Sequence, residues 1–366
     1  MRLPVGDPRR DAWLSEDNQS SQFLTSHPTR TFELGVEEFR EAFCTYLGAE
    51  SPATRGLGAL TIPCGGDSRR RDGPRQNDPH GQQINLANLP GASYTICHDA
   101  IAHEIWAIVR EAGLAIGVEP RHLFHTLIPA GVLYQPGGKP GIVLDATIDV
   151  ALPRAVTARG ESQRRQLEEL RRLFFDVKTI FAGGGAYRSA RARDEASGAV
   201  AHRAHEVHHE YRRHAERLDG NHSAPGTTPI RDRLNSFTQV RALVFGNYGE
   251  CSADVHHLLD ACATAVARKT WQWVGARNEA EARACVLSRV RRRVGLVVVR
   301  EMARHRLRRV PYIGVPRHIV EERMQPFHLR AIERGGGAAV SAADFYAFQQ
   351  RQGAWGRDAA SAVLAG

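Results

Sequence analysis

Long apolar runs are missing from this 366-residue chain. The longest, Val294 to Val299 around Gly295, falls far short of the ~20 residues that a membrane-crossing helix needs. The first residues, MRLPVGDPRRDAWLSEDNQ, contain no apolar stretch of the secretory-leader kind. Cysteine is scarce and scattered, at Cys44, Cys64, Cys97, Cys251, Cys262 and Cys285. A chain of this size with such spacing is expected to keep reduced thiols in an intracellular compartment, not to build a disulfide framework. No internal repeat is visible. What remains is the profile of a globular protein with a real core and no membrane partner, 42% hydrophobic and 24% charged. Its charge is lopsided, at +9 formally, with a sequence pI near 9.6. The arginines cluster at Arg289, Arg291, Arg292 and Arg293, and again at Arg304, Arg306, Arg308 and Arg309. Such clusters favour a polyanion, most simply nucleic acid. A solvated Arg-rich helix is the alternative.

The texture of the chain divides it into five parts. Residues 1–32 are polar and read as disordered. Residues 33–94 form an N-terminal extension, with a helical stretch at 36–47 and a Gly/Pro/Asp-rich loop at 64–90. In the third part, 95–270, helical and strand signals alternate. A helix is expected over 98–112, with Asp99 as its N-cap and Gly113 as its stop. Strands are expected at 114–128, 140–152, 173–181 and 240–246. A charged excursion, 158–172, interrupts them. A helix with an apolar stripe runs from about 195 to 218, and another covers 253–267. A basic helical region follows at 271–317, then a Gly/Ala-rich tail at 318–366. The fold class is therefore α/β, a central mixed sheet of about four strands flanked by helices, ending in a helical, Arg-rich C-terminal region.

Two motifs compete for the chemistry. The first is HEVHH, His205 to His209, a literal match to the H-E-x-x-H helix of zinc hydrolases, in which His205 and His209 would bind zinc and Glu206 would act as base. At about 100° per residue, His205 lies about 140° and His209 about 180° from Val200, the origin of the apolar stripe. Both therefore share the polar face with Arg212 and Glu216. The extended form of the motif is absent, and no later helix offers a third ligand.

The second motif is carried by strands. Asp145 lies within GIVLDATIDV, and Asp176 and Lys178 lie within LFFDVKTIF. Alternation along a strand puts Asp176 and Lys178 on one side and Phe175 and Val177 on the other. Charges embedded in apolar strands are expensive to bury. They are explained either by an internal Asp–Lys pair or by a hydrolytic site. In the second case the two carboxylates supply hard oxygen ligands for Mg²⁺ or Mn²⁺, and the lysine adds positive charge at a scissile phosphate. Glu104 and Glu119 are candidates for an accessory acid, and Asp149 is a rival of Asp145.

This order of elements around Asp145 and Asp176-Val177-Lys178 resembles the restriction-like PD-(D/E)XK nucleases, and in particular the endonuclease domains of eukaryotic mobile elements. CHDAIAHEIWAIVREAGLAIGVEP and VFGNYGECSADVHHLL are similar to segments of that group. The resemblance covers roughly residues 95–270. It implies a restriction-endonuclease-like fold, magnesium-dependent hydrolysis of DNA, and a catalytic set of Asp145, Asp176 and Lys178 with Glu104 or Glu119. It also implies backbone contacts through Arg289, Arg291, Arg292, Arg293, Arg304 and Arg308, and makes the nucleus one place of action. The chain departs from the pattern at Leu144, where a proline is usual, and in the thirty or so residues between its two aspartates. Cys64, His80 and Cys97 resemble the small structural zinc site that precedes such nuclease cores, with Asp67 where a second cysteine would stand. A catalytically inactive nucleic-acid-binding protein of the same fold is the alternative that these departures allow.

Overall fold

A computed structural model describes residues 3–4, 7–26, 33–63, 75–120, 124, 126–128, 144–153, 168–236, 240–316 and 318–320. The N-terminal region contributes α1 (Pro8–Leu14), α2 (Val36–Tyr46), a two-residue ladder of β1 (Thr61–Ile62) with β2 (Arg75–Gln76), and α3 (Gln82–Leu86). Then come α4 (Ser93–Glu111), β3 (Ala115–Val118), β4 (Ala146–Pro153) and β5 (Glu168–Thr179). Two short turns of helix, α5 (Gly185–Arg188) and α6 (Ala190–Asp194), lead into α7 (Gly198–His222) and α8 (Pro229–Ser236). The described chain ends with β6 (Arg241–Phe245), α9 (Ala253–Thr270) and α10 (Glu279–Leu307), followed by a short 3₁₀ turn.

Strands β3, β4, β5 and β6 form one sheet in that order. The first three are antiparallel neighbours, and β6 lies parallel to β5, which makes the sheet mixed. Parallel pairing needs a long return connection, and α5 to α8 supply it. Alternation assigns the faces. Phe175, Val177, Leu243 and Phe245 point to one side, where they pack with α4, α9 and α10 around Ile101, Ile105, Leu259 and Val298. Phe174, Ala242 and Val244 point to the other, against Val200, Val207, Ala215 and Leu218 of α7. The stripe expected on α7 is thus the face it buries.

Several expectations are corrected. Residues within 1–32 are ordered over 7–26, because Ala12 and Phe23 are buried and Gln19 and Ser20 lie against α10 and the β6–α9 turn. Helix α4 begins at Ser93, so Asp99 is not its N-cap but an internal residue paired with His98. Strand β3 is only four residues long. Strand β5 reaches back to Glu168, since Glu168–Arg172 pair with β4 and are not part of the charged excursion. Residues 129–143, 154–167 and 321–366 lie outside the described residues.

Most of the Arg-rich segment lies on a single helix whose centre, Val294–Val299, is buried. Val294, Val297, Val298 and Met302 of α10 face the sheet-side core, while Leu296, Val299 and Ala303 face Phe23 and Ala42. The apolar run too short for a bilayer is thus the centre of a helix packed on two sides, and no helix among the described residues is long and apolar enough to cross a membrane. Several arginines around this run are held by acids. Arg293 meets Glu104 at 2.7 Å and Glu111 at 2.5 Å. Arg304 meets Glu38 at 2.6 Å and Glu301 at 2.9 Å, and Glu301 also holds Arg308 at 3.2 Å. Arg306 pairs with buried Glu41 and donates to Thr45, tying α2 to α10. Arg309 donates to the Ile84 carbonyl and the Ser93 hydroxyl.

Breaking a buried ion pair leaves one charge without compensation, at a cost of about 3–5 kcal/mol. Arg306→Ala is therefore expected to lower stability by about that amount in chemical denaturation, while Arg289→Ala, at an exposed position, changes it by less than about 0.5 kcal/mol. Equal losses would show that the two arginines do not differ in this way.

Candidate active site

Asp145 immediately precedes β4, and the register that pairs Ala146 with Phe175 sets it opposite Asp176. Lys178 is two residues further along β5, on the same face as Asp176. The three converge. The Lys178 ammonium lies 2.5 Å from Asp176 Oδ2. The Val177 N–H donates to Asp145 Oδ2 at 2.6 Å. Two further side chains complete the cluster. The Tyr211 hydroxyl, on the sheet-facing stripe of α7, donates to Asp176 Oδ1 at 2.9 Å. His98 Nε2, on α4, lies 3.3 Å from Asp145 Oδ2, and its Nδ1 lies 2.8 Å from Asp99. The site therefore joins the sheet to the helical layers on both of its faces.

Burial and charge divide the two carboxylates. Asp176 is 2% exposed. Burial raises its pKa and the charge of Asp145 adds to that, against the lowering by Lys178 and Tyr211. Asp145 is also penalised by burial, but His98, the Val177 N–H and Lys178 outweigh the penalty and hold it below the usual carboxylate range. Burial works against the charge on His98 too, yet its bonds to Asp145 and Asp99 push it up to about 9. Tyr211 is pushed up by burial and by the adjacent Asp176, so it remains a hydrogen-bond donor. Near neutral pH the cluster therefore carries an imidazolium at His98 and an ionised carboxylate at Asp145. A pair of carboxylates whose environments separate their acidities is a common arrangement at hydrolytic sites.

The other anticipated residues lie elsewhere or act differently. Glu104 is engaged by Arg293, and His98 is the α4 residue that meets Asp145. Glu119 contributes through its backbone. Its N–H donates to the Asp145 carbonyl at 2.9 Å, its side chain is exposed, and its φ of +43° is strained for a residue with a Cβ. Asp149 pairs with Arg172 at 2.8 Å, away from the cluster. Of the three residues compared to a zinc site, Cys64 lies outside the described residues, His80 bonds to the Ala49 carbonyl, and Cys97 is fully buried in the apolar core, where desolvation raises its thiol pKa and keeps it protonated. His205 and His209 are exposed on the outer face of α7 with their Nε2 atoms 3.0 Å apart, and Glu206 is held by His202 and Arg203. Arg293, Arg304 and Arg308 spend their charge on internal acids, Arg292 donates to Ser288, the Arg291 carbonyl accepts from Gln19, and Arg289 is exposed.

His98 and Tyr211 were invisible as site residues. His98 stands beside Asp99 on a helix and Tyr211 lies on an apolar stripe, and each becomes polar machinery only through a partner distant in sequence. A separate group, Asp17, Cys251 and His256, brings three donor atoms within 4.8 Å of one another and is capable of holding a metal ion. No protein-family model, curated protein or solved structure matches this chain.

In metal-free protein, His98 is expected to titrate near pH 9 by NMR, and Asp145→Asn to bring it down toward the ordinary histidine value of 6.5. An unaltered His98 titration in that variant would remove Asp145 as the cause.

Proposed function

We propose that this chain is a metal-dependent endonuclease that hydrolyses DNA phosphodiester bonds, of the restriction-like type. The observation that carries the reading is that Asp145, at the start of β4, lies opposite Asp176 of β5, which pairs with Lys178 on the same strand. The order of elements supports it as well: helix α4, an antiparallel meander β3–β4–β5, helix α7, and β6 parallel to β5. That is the order expected for such nucleases.

The donor chemistry fits a hard divalent cation. Both ligands would be carboxylates, and Asp176 Oδ2 is buried, with the Lys178 ammonium 2.5 Å away. Asp145 and Asp176 would hold Mg²⁺ or Mn²⁺, which keeps several of its own waters. Once bound, the metal would acidify a coordinated water and offset charge on the phosphoryl oxygens. The protein's own groups do the rest. Lys178 is the cation nearest the carboxylates and is 31% exposed, so its ammonium can meet a phosphate while its stem stays in the sheet. Tyr211 fixes the rotamer of Asp176. His98, charged at neutral pH, fixes Asp145 and adds a second positive group beside the same centre. The net charge of +9 suits a polyanionic substrate. A location with access to DNA, the nucleus included, belongs to the same reading, as does descent from a mobile element.

Purified protein with Mg²⁺ is expected to nick or linearise plasmid, and Lys178→Ala to reduce the rate by about a hundredfold or more. If wild type cuts no faster than Lys178→Ala, the catalytic claim fails. Salt-sensitive DNA binding without cleavage by either form would identify a non-cleaving DNA-binding protein instead.

A further inference from the structure

We propose that Asp17, Cys251 and His256 bind one zinc ion that staples the N-terminal segment to the turn between β6 and α9. The three residues come from separate places. Asp17 lies in the loop after α1, Cys251 forms an isolated bridge with Phe245 at the end of β6, and His256 stands in the first turn of α9. Their donors nevertheless meet. Cys251 Sγ and His256 Nε2 are 3.5 Å apart, and His256 Nε2 and Asp17 Oδ2 are 3.5 Å apart. Zinc bonds of about 2.3 Å to sulfur and about 2.0–2.2 Å to nitrogen and oxygen, at tetrahedral angles, put neighbouring donors about 3.4–3.6 Å apart. Two of the three donor–donor edges thus have tetrahedral length before any ion is added, and the third lies within 4.8 Å.

The setting favours the same use. Cys251 is 2% exposed and its sulfur lies 3.5 Å from His256 Nε2. Among the described residues the other nitrogen of His256, Nδ1, is buried without a hydrogen-bond partner, while Nε2 is the atom aimed into the cluster. Asp17 is fixed by N–H donors on both oxygens, from Gln19 and Ser20 to Oδ1 and from Cys251 to Oδ2. Outer hydrogen bonds of this kind orient a carboxylate ligand and leave a second lone pair on Oδ2. A thiolate, an imidazole and a carboxylate together select a borderline cation such as Zn²⁺ over Mg²⁺. This donor set differs in kind from the all-oxygen pair of Asp145 and Asp176. Binding would replace the Cys251 thiol proton, which passes to solvent, and would leave a fourth position for water.

The test uses the full chain after removal of metal with a chelator. Zinc titration followed by equilibrium dialysis is expected to give one tight equivalent per chain, and Co²⁺ in its place to give a thiolate-to-cobalt charge-transfer band in the near ultraviolet. His256→Gln, at a partly exposed position, is expected to weaken zinc binding at least about tenfold. Cys251→Ser is expected to abolish the charge-transfer band. Zinc is also expected to raise the Tm of wild type and not of His256→Gln. The proposal is overturned if wild type retains no zinc, if the cobalt complex lacks the thiolate band, or if His256→Gln binds zinc as tightly as wild type. Plasmid cleavage in Mg²⁺ is a separate readout, so the two sites fail or succeed independently.

Discussion

A carboxylate buried in the middle of a sheet sets the terms for everything around it. Asp176 sits on β5 with Phe174, Phe175 and Val177 beside it, at 2% exposure. Moving such a group out of water costs several kcal/mol unless its charge is matched and its lone pairs are used. Lys178 supplies the charge from two residues along the strand, on the same face. Tyr211 supplies a hydrogen bond from α7, which requires that helix to lie with its apolar stripe against this face. Asp145 then arrives from β4 as a second negative group that must also be compensated, by a strand N–H and by His98 from the other helical layer. One expensive residue thus couples both faces of the sheet. A fold optimised for stability alone would place an apolar residue there.

The positive charge of the chain serves two purposes. Much of the arginine on α10 is scaffold, holding Glu38, Glu41, Glu104 and Glu111 of neighbouring helices, while Glu301 pairs within α10. The planar, multiply donating guanidinium suits this role, since it can bind two acids at once and stays charged when half-buried. Lysine is almost unused, at Lys139, Lys178 and Lys269 alone. The appearance of a compact ammonium at Lys178, in a chain that elsewhere prefers guanidinium, is a compositional mark of the cluster.

Periodicity made some features legible and left others hidden. Alternation along 173–181 placed Asp176 and Lys178 on one face, and the stripe of Val200, Val207 and Tyr211 placed His205 and His209 outward. Both followed from local geometry, because a strand repeats every two residues and a helix every 3.6. The ends of elements were less legible. Helix α4 starts five residues before its expected start, at Ser93 after Ala92 in a left-handed conformation, and β5 takes in Glu168–Arg172 because β4 offers a pairing partner that no local signal reveals. The destination of the arginines was hidden for a related reason. A solvent-facing cluster and an internally paired one have the same letters, and only the position of the acids tells them apart.

The sequence by itself determined which residues could not be ordinary core: Asp145, Asp176 and Lys178, charged groups in apolar strands. It also determined the α/β alternation and the sidedness of α7, since these follow from spacing along one segment. The tertiary structure decided what those residues meet. It brought His98 rather than Glu104 to Asp145, turned the hydroxyl of Tyr211 onto Asp176, and gathered Asp17, Cys251 and His256 from across the chain. Hydrogen bonds and metal-ligand geometry are satisfied in space, by groups tens or hundreds of residues apart, and chain spacing holds no record of such meetings.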